Sequence, residues 1–172
     1  MITTHLLHSV TPELVAFIEQ CNMLGYKNNN TLEKMKFQWC LDNGGSWFAT
    51  YDNNRIVGIS GLHKFMDGYR ALFRGCQLHS IPGGLSKNHM NCWMFYYHLP
   101  LVINLVKDSP IYITTNTDND ASGKMLKLNK LYSLLEKKGL VDLKNKEQVF
   151  GVEQNIWKLN TETYYNLRPE EK

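Results

Sequence analysis

A short strand-forming run, Ile111–Thr115, follows Pro110 and passes through a polar turn into a lysine-studded helical segment that closes at Gly139. No other stretch of the chain narrows the fold as far. Met125, Leu128, Leu131 and Leu135 recur at helical spacing, with Tyr132 sharing the same stripe. Lys124, Lys127 and Lys130 fall on the outer face, and Gly139 is placed to cap the C-terminus. A strand that feeds an amphipathic helix has to bury one face of each element, which makes the chain an α/β protein.

The chain has 172 residues, enough for one domain with a sizeable core. Residues 1–160 are expected to form that single domain, and residues 161–172 a C-terminal tail. Thr11 can cap a first helix that carries Pro12 at its first position and Leu14, Phe17, Ile18 and Cys21 inward, ending near Gly25. Thr31 can cap a second helix with Leu32, Met35, Trp39 and Leu41 toward the core, ended by Gly44 and Gly45. Ser46–Tyr51 and Arg55–Leu62 flank Asp52, Asn53 and Asn54, the pattern of a hairpin. A third antiparallel strand is expected over Tyr69–His79 after the turn at Asp67 and Gly68.

The segment from Ile81 to Lys87 combines a proline with two adjacent glycines and reads as a loop. Asn88 or Asn91 then caps a helix reaching Val106, kinked or divided at Pro100. Trp93, Met94, Tyr97, Leu101 and Leu105 form one apolar face of it, and Phe95, Val102 and Val106 others. Strand, loop, helix and strand from residue 71 to 115 make a crossover, so the last strand runs parallel to the earlier one. Val149–Val152 and Ile156–Leu159 are expected as late strands or edges.

A net charge of +3 supports no strong claim for DNA or RNA, though it is compatible with a small anionic ligand. The lysines of the 124–138 segment, with Lys144 and Lys146, lack the interleaved aromatics of a stacking platform, so nucleic-acid binding is not expected. Cys21, Cys40, Cys76 and Cys92 show no close CxxC pairing, and the start MITTHLLHSV has neither a basic n-region nor a long apolar run. A reducing, cytoplasmic setting is expected. The most apolar stretch, WMFYYHLPLVINLV, is interrupted by His98, Pro100 and Asn104, so no membrane span is expected.

This order of elements resembles that of the GCN5-related N-acetyltransferase (GNAT) family. The family has a first strand, two helices, a three-stranded antiparallel run, a loop and helix that receive coenzyme A, a parallel strand, a further helix and a terminal strand pair. The resemblance covers most of residues 1–160 and rests on element order more than on motif. It implies a mixed central sheet with an antiparallel N-terminal half and flanking helices, an acyl-CoA N-acyltransferase-like fold. The activity it implies is transfer of an acetyl group from acetyl-CoA to a primary amine.

In the family, main-chain N–H groups of the loop before the central helix hold the coenzyme A pyrophosphate. The matching loop here is SIPGGLSKNH, which makes Gly83, Gly84, Leu85, Ser86, Lys87 and Asn88 the cofactor candidates. The family's leading basic residue and glycine spacing are absent from it. Asn116 or Asn119 takes the place of an asparagine just after the parallel strand, and Lys124 could meet the adenosine 3′-phosphate. Tyr132 is the candidate general acid for the departing thiolate. It lies seven residues before Gly139, one turn further than the family's spacing, and Leu135 holds the customary place. His79, directly before the glycine loop, is the better placed of two candidate bases, the other being His63.

Three other readings accompany this one. A domain of the same shape could be catalytically silent and bind a partner. Cys76, His79, His89 and Cys92 could supply two thiolates and two imidazoles to zinc in a small zinc-stabilised domain. If extended, however, Cys76 and His79 face opposite sides of a strand, and no metal site is assigned. The aromatic surplus at Trp93, Phe95, Tyr96 and Tyr97 would also suit a homodimer interface.

Overall fold

The structure, a computed structural model, describes residues 2–23, 37–75, 99–117, 124–149 and 151–162. The chain packs as two compact units, Met1–Lys107 and Asp108–Lys172.

In the first unit, β1 (Ile2–Leu7), β2 (Ser46–Asp52), β3 (Arg55–Phe65) and β4 (Gly68–Gly75) pair antiparallel in that order. The expected hairpin is present, with Asp52 opposite Arg55 and the left-handed Asn53 (φ 57°) turning the chain. A second two-residue turn, Met66 and Asp67, joins β3 to β4. The part of the third strand expected beyond Gly75 lies outside the described residues. No periodic signal marked β1. Its Thr3, Thr4 and Leu7 are half-buried and its His5 and Leu6 exposed, so the strand shows no clean alternation.

Helix α1 (Pro12–Met23) begins as its sequence dictates. The Thr11 hydroxyl accepts the Leu14 N–H at 3.3 Å, and the Thr11 carbonyl accepts the Val15 N–H at 3.1 Å. Leu14 and Phe17 from α1 pack with Phe37 and Cys40 of a helical segment over 37–42 and with Trp47, Ala49, Ile56 and Ile59 of the sheet. That segment corrects one expectation. Trp39 is 38% exposed, and the inward face is carried by Phe37 and Cys40, three residues apart on one side of the helix. Gly44 (φ 70°) ends the segment, and the Gly45 N–H returns to the Cys40 carbonyl at 2.8 Å.

The last helix described in this unit, α2, spans Leu99–Val106 and includes Pro100, and the part expected before it lies outside the described residues. Val102, Ile103 and Val106 are buried, whereas Leu101 and Leu105 are exposed, Leu105 by 48%. Of the faces expected to be buried, that of Val102 and Val106 is, and that of Leu101 and Leu105 is not. At about 100° per residue, 102, 103 and 106 share one side and 101 and 105 the other.

In the second unit, β5 (Ile111–Asn116) pairs antiparallel with β7 (Val152–Leu159), and β7 with β6 (Val141–Val149). Residues 149–152 are thus no strand of their own. They hold the β6–β7 turn, with Gly151 left-handed at φ 77°. β6 escaped the sequence reading because residues 142–148 are polar apart from Leu143 and all exposed. Its lysines and a bulge that leaves Lys144 without an opposite residue blunt an outer strand.

Helix α3 (Lys124–Lys137) closes with a Schellman motif. The Leu140 N–H meets the Leu135 carbonyl and the Gly139 N–H the Glu136 carbonyl, both at 2.9 Å, with Gly139 at φ 75°. Among the described residues no helix is long and apolar enough to cross a membrane.

Candidate functional site

The chemistry-bearing side chains that the structure brings together lie in the second unit, where α3 covers one face of β5 and β7. Strand geometry selects that face. Side chains alternate, so Ile113 and Thr115 point one way with their partners Trp157 and Asn155, while Thr114 and Asn116 point the other.

On the α3 side, Trp157 Nε1–H donates to Thr115 Oγ1 at 2.9 Å, and Thr115 Oγ1–H donates to Asn129 Oδ1 at 2.5 Å. The same Asn129 oxygen accepts Asn155 Nδ2–H at 3.0 Å, and Asn129 Nδ2–H donates to the main-chain carbonyl of Asn116 at 2.9 Å. Chemistry permits one assignment of these roles. An indole N–H only donates, so the threonine oxygen accepts it and passes its own proton on; a main-chain carbonyl only accepts, so the asparagine nitrogen must face it.

Tyr132 sits three residues after Asn129 on the same helix and is 3% exposed. Its ring stacks on Trp157, with centroids 5.6 Å apart and planes 26° apart. Among the described residues none hydrogen-bonds its hydroxyl. Burial raises the phenol's pKa above its ordinary value, so the proton stays on oxygen throughout the neutral range.

Of the other candidates, Asn116 ends β5 with its side chain half-buried and on the opposite face from Tyr132. Its main-chain carbonyl accepts the Asn129 amide. Lys124 is the first residue of α3, where the positive end of the helix dipole lies. His79, Gly83, Gly84, Leu85, Ser86, Lys87, Asn88 and Asn119 lie outside the described residues, as do Cys76, His89 and Cys92.

His63, on β3 in the first unit, is 1% exposed. Its Nδ1–H donates to the Lys64 carbonyl at 2.8 Å, which leaves Nε2 to accept from Arg70 at 3.4 Å. Trp39 meets the ring edge-on at 4.6 Å. Burial, followed by the Arg70 charge, holds the imidazole below its ordinary pKa, although the Lys64 bond works the other way. Both ring nitrogens are therefore engaged within the sheet.

Sequence reasoning passed over Thr115, Asn129, Asn155 and Trp157. One signal was available. Asn129 falls in sequence among Met125, Leu128 and Tyr132, the positions expected inward, and an amide on such a stripe needs partners.

No protein-family model matches the chain, and no curated protein is significantly similar to it in sequence. Solved structures are similar in fold. Aminoglycoside acetyltransferase AAC(6′)-Ib, in complex with coenzyme A and kanamycin, is similar at TM-score 0.63 and 10% identity, over 98% of this chain and 99% of that one. N-acetyltransferase PseH of Campylobacter jejuni, in complex with acetyl coenzyme A, is similar at TM-score 0.53 and 8% identity, over 92% and 98%. An acetyltransferase of the GNAT family from Streptococcus pneumoniae is similar at TM-score 0.53 and 13% identity, over 92% and 98%. The fold is therefore that of the GNAT acetyltransferases, with a mixed central sheet and flanking helices, as the element order implied.

Proposed function

We propose that the chain is an acyl-coenzyme A-dependent N-acyltransferase of the cytoplasm, which moves an acetyl group from acetyl-CoA to a primary amine. The observation that carries this reading is the Tyr132 hydroxyl: buried, protonated, and hydrogen-bonded by none of the described residues, in a chain with a fold shared by coenzyme A-binding acetyltransferases. A buried polar group without a partner is uncommon and costs stability, so a donor left open suits an acceptor brought by a substrate. The half-buried Asn116 amide suits the amides of a pantetheine arm in the same way.

Acetyl-CoA supplies an acetyl carbon activated as a thioester, and a thiolate that departs when the amine nitrogen bonds to that carbon. Tyr132 offers its O–H to the departing sulfur as general acid. Because burial holds the phenol's proton tightly, its contribution is largely the hydrogen bond that stabilises the developing charge. His79 takes the proton that the amine loses. Main-chain N–H groups of Gly83, Gly84, Leu85, Ser86, Lys87 and Asn88 hold the pyrophosphate, Asn116 or Asn119 the pantetheine arm, and Lys124 the 3′-phosphate.

A native mass spectrum with and without acetyl-CoA tests the reading. A saturable adduct, lost in a Gly84→Asp, Ser86→Glu variant, is expected. A chain that remains bare at high ligand concentration contradicts it. That outcome would favour a catalytically silent domain of the same fold, a reading that the stack of Tyr132 on Trp157 supports because core aromatics pack in this way.

A further inference from the structure

Asn129 makes three hydrogen bonds with one side chain, to Thr115, Asn155 and the Asn116 carbonyl, and all three partners lie on β5 or β7. Three directional bonds to two strands fix both the height of α3 above the sheet and its rotation about its own axis. Tyr132, three residues on, shares that face of the helix, so its position follows from that rotation. A second route runs through the sheet: Thr115 receives the Trp157 indole N–H, and Trp157 presents its face to the Tyr132 ring. Two hydrogen bonds and a ring stack thus link Asn129 through Thr115 and Trp157 to Tyr132, and the turn of α3 links Tyr132 back to Asn129. Four buried or half-buried polar side chains, Asn129, Thr115, Asn155 and Trp157, join in these bonds where apolar side chains could have filled the space, which points to a need for fixed geometry.

We propose that Asn129 is the positioning residue of the site, setting the Tyr132 hydroxyl against the sulfur of coenzyme A both directly, through α3, and through Thr115 and Trp157. The proposal rests on the reading of Tyr132 as the donor to the leaving thiolate. Asn129 itself touches no reacting atom.

The test follows the thiol of bound coenzyme A by thiolate ultraviolet absorbance as pH is varied, in the wild type and in Tyr132→Phe, Asn129→Leu and Thr115→Val. The indole N–H resonance of Trp157, identified with Trp157→Phe, is recorded alongside by NMR. In the wild type the bound thiol is expected to titrate below that of free coenzyme A recorded under the same conditions, and in Tyr132→Phe to return toward it. Asn129→Leu and Thr115→Val should each lose at least half of that shift and move the indole resonance, with coenzyme A affinity changed less than about threefold. Thr115→Val preserves side-chain shape and carries the test should Asn129→Leu fail to fold. If both variants move the indole resonance and leave the bound thiol as in the wild type, the positioning role is overturned and Tyr132 keeps its own. An indole resonance unmoved by either variant also overturns it. A wild type that binds no coenzyme A, or a Tyr132→Phe variant with an unchanged thiol, removes the reading of Tyr132 and the positioning role with it.

Discussion

Trp157 and Tyr132 lie ring over ring at 5.6 Å, yet the two polar ends of this pair have opposite fates. The indole N–H of Trp157 is satisfied by Thr115, while the Tyr132 hydroxyl receives no bond from the described residues.

Tyr132→Phe should stabilise the chain. Removing a buried hydroxyl that no described residue hydrogen-bonds relieves its desolvation penalty, an effect of about 1–2 kcal/mol. Urea unfolding at neutral pH measures it, and a loss of stability on this substitution would mean that the hydroxyl is satisfied. The gain should grow in alkali. The phenol's pKa is raised in the folded state, so the unfolded chain releases this proton first, and stability is lost as pH climbs past about 10. The phenylalanine variant should show a shallower decline over that range.

Thr115→Val should destabilise by about 1–3 kcal/mol, because it strands the Trp157 N–H and removes a donor from the Asn129 oxygen. Trp157→Phe removes that stranded N–H. The Thr115→Val, Trp157→Phe double variant should therefore be less damaged than the sum of its parts, with a coupling of about 0.5 kcal/mol or more. Additive losses in denaturant unfolding would contradict the relay.

Gly61 pairs with Trp47 across β2 and β3, and a Cβ at Gly61 would stand 2.6 Å from three atoms of the indole. Trp47 cannot easily yield, since its ring is packed against Phe37 at 4.0 Å and its Nε1–H donates to the Phe37 carbonyl at 3.3 Å. Gly61→Ala should cost about 1–3 kcal/mol. A thermal melt unchanged from the wild type would show that the indole moves aside.

His63 should make the first unit acid-sensitive. Its pKa is depressed in the folded state, so its contribution is complete above the unfolded value of about 6.5 and is lost as pH falls through the folded one. His63→Asn, whose amide can still donate to the Lys64 carbonyl, should flatten the stability profile between neutrality and mild acid. A profile as steep as that of the wild type would place the acid sensitivity elsewhere.

The sequence spoke most clearly where a local signal and a global one agreed. Thr11 and Pro12 announced α1, Asn53 the hairpin turn, and Gly139 the end of α3. The elements that escaped were those whose stability comes from neighbours. β1 has no fully buried side chain among those described, and β6 is an outer strand exposed through its middle, so neither needs an apolar alternation. Rotation of a helix about its axis was also hard to read, as Trp39 and Leu105 show, because aromatic and aliphatic residues on several faces fit more than one register. At the site, Tyr132 stood out as a residue type, but its surroundings depend on the Ile113–Trp157 and Thr115–Asn155 pairings between strands some forty residues apart. Only the register of β5 against β7 brings those groups under α3.

The most direct test is acetyl transfer itself. The purified chain would be incubated with acetyl-CoA and a panel of small primary amines and polyamines, with acetylated product and free coenzyme A read together by mass spectrometry. Enzyme-dependent product is expected, falling about tenfold to a hundredfold in Tyr132→Phe while the fold is retained. Product formed equally well by the phenylalanine variant would remove Tyr132 from the chemistry, and no product with any amine from a chain that also fails to bind acetyl-CoA would contradict the proposed activity.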